Sequence, residues 1–337
     1  MSVVSIENSS SYGELIRGVG VQFQDVYNQR KMTYSKAIDN LMAEEGNKAT
    51  RLCRKEKTNA KIVHYLQRTG TAYPSVFGEG SSIPVDTRLM GYKTSLTIQD
   101  YGLQIPITDD AMMDNDYQGE LNAFGDLGVS MEELQDKWFF DLFNNAFTAQ
   151  ASLPNYIYGY GDGKPLASTL HPRKDGGTAQ SNASSTGLVF NNVNFATARN
   201  ALARQLDDRG KPIDVGSSSL ILLVPTELQD QACEFAKSEK KINTNNNNIN
   251  VWKGMVTVVS SKLLAYSGAN IASTAWFVID TKVAQLRMYE RQASKSFSAT
   301  DKDTLNKFFA VKGRAVVGWT DWRGVWASKG DGGAYSS

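Results

Sequence analysis

Histidine and cysteine are scarce in this chain, and the shortage excludes two kinds of site. The 337 residues include two histidines, His64 and His171, and two cysteines, Cys53 and Cys233. Neither histidine lies at ligand spacing from a cysteine or a carboxylate cluster, so we expect no metal site and no histidine-based catalytic triad. The cysteines are far apart in sequence, which favours two free thiols over a disulfide. We interpret His171, within the sequence LHPRK, as a hydrogen-bonding loop residue.

The motifs of common nucleotide-binding enzymes and hydrolases are also missing. Gly161, Gly163 and Lys164 are spaced as in a phosphate-binding loop. However, Tyr158 stands at the first glycine position and Pro165 follows the lysine. Neither a G-x-S-x-G elbow nor a G-x-G-x-x-G fingerprint occurs. We therefore expect a protein that is not an enzyme and needs no cofactor.

Long apolar runs are absent as well. No run approaches the ~18 residues of a membrane-spanning helix. The N-terminal sequence MSVVSIENSSSYGEL has neither the basic nor the apolar region of a secretory signal. With 41% hydrophobic and 21% charged residues, the composition is that of a globular protein of about two domains. We expect no membrane association and a chain that stays in the cytosol.

The net charge of +1 hides two blocks of opposite sign. Residues 48–68 carry seven basic residues against the single acid Glu56, a net charge of +6, whereas residues 94–136 carry ten acids and no Lys or Arg, a net charge of −10. Such blocks attract each other and fix the register of an interface. Three interpretations stay open: contact between copies of the chain, contact of the basic block with DNA phosphates, and two solvated faces. The candidate residues are Lys48, Arg51, Arg54, Lys55, Lys57, Asp114, Asp116 and Glu120.

The first hundred residues show no core pattern of their own. Ile16, Val19 and Phe23 are spaced for one short helix, which we interpret as part of an N-terminal arm without a local core partner. The run YPSVFGEGSS at residues 73–82 has turn chemistry and lies between two extended pieces. The piece that follows it alternates at strand period as far as Ile107. The sequence therefore predicts an arm and then a long hairpin.

A long helix is predicted next. Thr108 and Asp109 supply an N-cap, and apolar residues then recur at steps of three and four. If the helix runs to about Phe147, it spans about 60 Å. Three glycines, Gly119, Gly125 and Gly128, are expected to weaken its early turns.

An α/β pattern occupies residues 195–280. Asn194 is the predicted cap of a helix that carries Phe195 and Leu206 and ends at Gly210, and Pro225 is predicted to open a second helix. Three apolar runs predict strands at residues 219–224, 255–260 and 275–280. The sequence KINTNNNNIN forms an Asn-rich loop before the second of these strands, and long strand-like runs fill residues 284–326.

Several stretches between about residues 83 and 326 carry a resemblance to a known family through their order and spacing. They are GYKTSLTIQDYGLQIPITDDAMMDND, DGKPLASTLHP, GGTAQSN, LILLVPTELQDQA, NNNNINVWKGMVTVVSSKL, AWFVID and GRAVVGWTDWRG. Together they resemble the major capsid proteins of tailed bacteriophages, which share the Hong Kong 97 fold. The resemblance implies an α+β fold with an N-terminal arm, an extended hairpin (the E-loop), a peripheral domain with a long spine helix, and an α/β axial domain. The implied boundaries are 1–60 for the arm, 61–107 for the hairpin, 108–194 for the peripheral domain, 195–280 for the axial domain, and 281–337 for peripheral return strands and the C-terminus.

The function implied by the resemblance is structural. It implies pentamers and hexamers that form an icosahedral shell in the virion, assembled in the host cytoplasm around double-stranded DNA. A portal and a separate scaffolding protein are the implied partners. It also implies that the Asn-rich tip, Asn245, Asn246, Asn247 and Asn248, lies near the capsomer axis. Two alternatives stay open: an encapsulin-like nanocompartment and a hydrolase with perturbed carboxylates.

Overall fold

The computed structural model describes residues 21–30, 52–87, 89–114, 118–216, 220–241, 248–301 and 306–335. Within them the predicted α+β class is confirmed. The helices are α1 (21–30), α2 (Asp109–Met113), α3 (Gln118–Asn144), α4 (Asn192–Ala203) and α5 (Gln229–Lys237). The strands are β1 (Arg54–Lys57), β2 (Ile62–Arg68), β3 (Met90–Thr97), β4 (Gln99–Ile107), β5 (Ile157–Tyr158), β6 (Leu220–Pro225), β7 (Val256–Ser261), β8 (Trp276–Asp280), β9 (Leu286–Thr300), β10 (Lys307–Trp319) and β11 (Val325–Ser328).

The chain divides into two compact units, each built from three segments. Unit 1 comprises Met1–Ala49, Gln99–Lys137 and Glu290–Ala315, and unit 2 comprises Thr50–Ile98, Trp138–Tyr289 and Val316–Ser337. Three elements, α3, β9 and β10, contribute residues to both units.

Unit 1 contains an aromatic core that includes α1. Phe23 of α1 is fully buried. Its ring stacks on Phe309 of β10 with centroids 4.2 Å apart and meets Phe124 of α3 edge-on at 5.2 Å. The expectation that this short helix lacks a core partner is therefore wrong. Its partners were not apparent because they are about 100 and 286 positions away along the chain.

The long helix is broken near its start. Thr108 is an N-cap as predicted, since its hydroxyl accepts a hydrogen bond from the backbone N–H of Ala111, but the helix that it caps is the short α2. Asp114 ends α2, and α3 begins at Gln118 and runs for 27 residues to Asn144. A helix therefore begins at Asp109 as predicted, but it ends after one turn, and α3 ends at Asn144, before the predicted end at about Phe147.

Two of the glycines in α3 have a packing role that their helix propensity does not reveal. A Cβ on Gly125 would lie 2.6 Å from Val26 Cγ1, and one on Gly128 would lie 2.8 Å from the backbone oxygen of Tyr27. Both contacts are with α1. These glycines therefore let α1 approach α3 closely, at the cost of some helix stability.

Unit 2 contains the predicted α/β region, organised on a four-stranded sheet with the order β11-β8-β6-β7. Strands β6 and β7 are parallel, and β8 is antiparallel to β6. The three strands lie within one residue of their predicted positions. The fourth, β11, pairs antiparallel with β8, Val325 opposite Ile279, so a strand expected among the peripheral return strands completes this sheet instead.

The helix boundaries of this region differ from the predicted ones. Asn191, not Asn194, caps α4, and its side-chain oxygen accepts a hydrogen bond from the backbone N–H of Asn194. The helix ends at Ala203, before Leu206, which pairs with Pro212 in an isolated bridge. Pro225 ends β6, and a 3₁₀ turn at Thr226–Leu228 precedes α5. The predictions missed because residues that favour helix ends, such as Asn194 and Pro225, lie a few positions from the residues where the helices begin.

The hairpin consists of β2 and β3, which pair antiparallel within unit 2, with Ile62 opposite Thr97. Its predicted second arm was continuous to Ile107, and this part of the prediction is wrong. The chain changes sheet after Ile98, and β4 pairs antiparallel with β10 in unit 1, Ile107 opposite Lys307. Strand alternation continues unbroken across residues 90–107, so periodicity alone does not mark the change.

Candidate assembly surfaces

The connection between β2 and β3 is exposed along residues 70–87. Five of its large apolar side chains are between half and fully exposed. They are Tyr73 (69%), Val76 (102%), Phe77 (51%), Ile83 (72%) and Val85 (92%). Exposed apolar patches of this size mark interaction sites, because leaving such side chains in water is unfavourable. We call residues 70–87 the hairpin loop.

A shallow apolar groove lies on the sheet surface of unit 1. It has a volume of about 300 Å³ and is lined by β4, β9 and β10. Leu103 is 61% exposed and Phe297 is 52% exposed within it, and Asp100 and Lys312 lie at its polar edge. Unit 1 thus offers an apolar surface of its own.

Strand β1 carries three of the five described basic residues of the basic block; Lys61 and Arg68 lie outside it. Arg54, Lys55 and Lys57 are all exposed, whereas Glu56 forms an ion pair with Arg287. The strand therefore presents cations to the surface and directs its single acid to a partner in its own unit. Lys48 and Arg51 lie outside the described residues.

The acidic block is partly neutralised within its own chain. Asp100 pairs with Arg314 at 2.7 Å and with Lys312 at 3.1 Å, and these contacts lower the pKa of Asp100. Asp100 therefore has partners within its own chain. Asp114 is exposed, Asp116 lies outside the described residues, and Glu120 lies in α3 without a described side chain. The uncharged ends of the two blocks meet within unit 2, where residues 62–65 of β2 pair with residues 94–97 of β3.

The Asn-rich tip is described only at its base. Asn245, Asn246 and Asn247 lie outside the described residues, and Asn248 is exposed. The base is closed by hydrogen bonds: the Lys241 N–H donates to the Asn248 carbonyl at 2.8 Å, and the buried Asn250 side chain donates to the Phe235 carbonyl. The tip therefore leaves unit 2 from a fixed base next to α5.

His171 is a buried hydrogen-bonding residue, as predicted. Its Nδ1 lies 2.7 Å from Asp162 Oδ2 and its Nε2 lies 3.0 Å from Asn182 Oδ1. The ring also stacks on Trp322 with centroids 4.2 Å apart. With no side-chain exposure at His171 or Asp162, the arrangement fixes two loops in place and offers no access to a substrate. No group of three metal-binding side chains occurs among the described residues.

A buried polar network at the base of the hairpin was not predicted from the sequence. Gln67 of β2 donates to Asp321 at 3.0 Å and accepts a hydrogen bond from the Tyr160 hydroxyl, while Arg323 pairs with both Asp321 and Asp208. Burial, followed by the charge of Asp321, raises the pKa of Tyr160. The network attaches the hairpin to the body of unit 2. The sequence signal was weak, because its members come from four separate loops and strands.

A family model described as phage capsid protein matches residues 91–328, more than two thirds of the chain. The chain belongs to this family. The expected relationship to tailed-phage major capsid proteins with the Hong Kong 97 fold is thereby confirmed, and the protein is a structural capsid protein. The same match favours a phage capsid protein over an encapsulin-like shell.

Solved capsid structures share the fold of this capsid protein. The capsid of the empty GTA particle is 9% identical with a TM-score of 0.51, covering 86% of this chain and 90% of that one. The capsid of the native GTA particle is 11% identical, with the same TM-score and coverage. The capsid of the cyanophage P-SCSP1u is 11% identical with a TM-score of 0.50, covering 82% of this chain and 85% of that one. No curated protein matches the sequence.

Membership of the family places this capsid protein in the virion as part of a lattice of identical subunits. The role of a capsid protein is structural. Among the described residues, no helix is long and apolar enough to cross a membrane.

Proposed function

We propose that this capsid protein is the major subunit of a tailed-phage head, in which pentamers and hexamers form an icosahedral shell around double-stranded DNA. Assembly takes place in the host cytoplasm with a portal and a separate scaffolding protein as partners. The observation that carries the proposal is the exposed hairpin loop, because the described part of its own unit leaves its apolar side chains in water. A neighbouring subunit supplies the surface that covers them.

The groove of unit 1 on a second copy is the proposed receiving surface. Loop and groove are both apolar, and every subunit carries one of each, so the contact is heterologous and repeats from subunit to subunit. Heterologous contacts close into rings when the rotation between neighbours closes. Rings of five and six are the units from which the proposed shell is built.

Electron microscopy of the purified protein, expressed with and without its neighbouring genes, tests the shell itself. Large symmetric particles support the proposal. Small particles that enclose a protein cargo support an encapsulin-like shell instead. A discrete small oligomer contradicts both kinds of shell and supports the hydrolase interpretation.

Substitutions in the hairpin loop test its docking. Val76→Asp and Val85→Asp place a carboxylate where the proposal requires burial, so shell yield falls at least ten-fold while the unfolding temperature of the free subunit stays the same. Ser82→Asp is the matched control, because it adds the same charge to the same loop at a position that is already polar. Normal shells from both valine variants contradict the docking proposal.

We further propose that the two charge blocks meet between subunits. Arg54, Lys55 and Lys57 are exposed in unit 2, and exposed acids such as Asp114 remain in unit 1. Single exposed pairs contribute only ~0–1 kcal/mol, but the contact repeats at every interface. Reversal of Arg51, Arg54 and Lys55 prevents assembly, and reversal of Asp114, Asp116 and Glu120 restores it. Normal shells with reduced genome packaging assign the basic block to DNA instead.

The Asn-rich tip is proposed to lie near the capsomer axis and to differ between ring types. Asn tolerates the left-handed backbone region and bonds to its own main chain, so the tip can take more than one shape. Superposed pentamer and hexamer subunits differ more at residues 244–250 than in α5. Identical tips in both rings contradict the proposal.

A further inference from the structure

The hairpin loop joins the rest of unit 2 at its neck, which consists of residues 69–73 on one strand side and residues 86–87 and 89 on the other. Every residue from 70 to 87 is exposed, so apolar burial within unit 2 does not hold the loop. The neck is closed by two hydrogen bonds. Thr69 Oγ1 donates to the Leu89 carbonyl at 2.5 Å, and the Ala72 N–H donates to Asp86 Oδ2 at 3.1 Å.

A rigid turn at residues 207–211 lies against this neck. Asp207 Oδ1 accepts hydrogen bonds from the N–H groups of Arg209 and Lys211, both at 2.8 Å. The Asp207 N–H donates to the Lys211 carbonyl at 2.8 Å, and Gly210 has a φ of +75°, which favours glycine. These bonds fix the backbone of the turn, and with it the positions from which the Arg209 and Lys211 side chains extend.

Each of these two side chains contacts a different strand of the neck. Arg209 Nη1 lies 2.8 Å from Asp86 Oδ1, and Arg209 Nη2 donates to the Thr87 carbonyl at 2.6 Å. Lys211 Nζ lies 4.2 Å from the centroid of the Tyr73 ring on the other strand. The Arg209 side chain is only 13% exposed, so its ion pair is less screened by solvent than a typical surface pair.

From this geometry we propose that the turn 207–211 is a clamp that holds both strands of the hairpin neck and thereby sets the direction in which the loop leaves its subunit. Asp86 is the central contact, because it bonds to Arg209 with one oxygen and to the opposite strand with the other. The role in assembly rests on the proposed docking of the loop. The clamp itself is a property of the single subunit.

Hydrogen exchange of the unassembled subunit tests the clamp directly. In Arg209→Gln, exchange of the Ala72 amide increases about five-fold, since loss of the ion pair frees Asp86 and opens the neck. Exchange in β6 and β8 stays the same. The matched control is Arg204→Gln, an exposed arginine a few residues away that does not contact the neck in the structure. Arg209→Lys keeps a cation beside Asp86 and keeps Asp86 as the acceptor of the Ala72 N–H, so exchange at Ala72 rises less than in R209Q. Unchanged exchange at Ala72 in R209Q overturns the proposal.

Lys211→Met provides a second measurement if R209Q does not fold. It removes the cation–π contact with Tyr73 and increases exchange at the neighbouring Ala72 amide. The assembly role is tested by shell yield, which falls several-fold in R209Q and less in R209K. Increased exchange with an unchanged yield overturns that role. A failure of the docking proposal is distinguished from a failure of the clamp by V76D and V85D. If the loop does not dock, these two variants assemble normally, whatever the exchange rate at Ala72.

Discussion

Replacing Phe23 with alanine removes the side chain that attaches α1 to the core of unit 1. The ring is fully buried and contacts Phe309 and Phe124. Truncation of a buried phenylalanine costs about 3–5 kcal/mol. Within that sum, each aromatic contact accounts for ~0.5–1.5 kcal/mol beyond the burial of area. Since a domain is stable by about 5–15 kcal/mol, F23A is expected to remove from about a fifth to nearly all of the stability of unit 1.

Urea unfolding of the unassembled subunit, followed by far-UV circular dichroism and tryptophan fluorescence, measures this loss. Two probes are needed because the chain has two units and two-state behaviour is not assured. Val21→Ala is the matched control, since Val21 lies in the same helix and is 58% exposed, and its effect stays within about 0.5 kcal/mol. If F23A costs no more than V21A, α1 is not docked in the free subunit and the reasoning is refuted.

Three further predictions concern single residues. Gly119→Ala raises the free energy of unfolding by ~0.5–1 kcal/mol, because a Cβ at this position meets open space. Gly128→Ala lowers the free energy of unfolding by about 1–3 kcal/mol, because its Cβ meets the backbone of α1. Urea titrations of both variants measure these changes. Burial raises the pKa of Cys53 to about 12, so at pH 8 only about one thiol in 10,000 is ionised, and iodoacetamide labels Cys53 slowly until the protein is unfolded. Rapid labelling at Cys53 itself, distinguished from the second free thiol Cys233 by peptide mapping, contradicts this. Burial also raises the pKa of Tyr101 to about 12, against ~10 in the unfolded chain. The contribution of this shift to stability is therefore complete below pH 10 and is lost between pH 10 and 12. Over that range the urea midpoint of the wild type falls more steeply than the urea midpoint of Y101F.

The sequence predicted elements whose signals are local. Strands β6 and β8 are short, continuous apolar runs, and both were located to within one residue. The cap at Thr108 was also correct, but a cap marks only the start of a helix and gives no information on its length. Gly125 and Gly128 were interpreted through helix propensity because their packing partner, α1, is about 100 residues away.

The candidate surfaces were predictable in part. The turn-rich composition of residues 73–82 identified a hairpin loop, and the structure adds that its apolar side chains are exposed. Composition also identified the charge blocks, yet it did not reveal that Asp100 pairs with Arg314, 214 positions along the chain. The contact between Arg209 and Asp86 was missed for the same reason, since both residues lie in loops where no periodicity links them.

The pairing of β4 with β10 imposes an order of events during synthesis. Ile107 pairs with Lys307, so 200 residues separate the two strands along the chain. At ~5–20 residues per second, a ribosome needs about 10–40 s to supply the partner of β4. During that interval β4 is a free strand edge, and neighbouring ribosomes on the same messenger carry further copies of it. The yield of this protein therefore depends on how well nascent chains are kept apart until residue 319 has emerged.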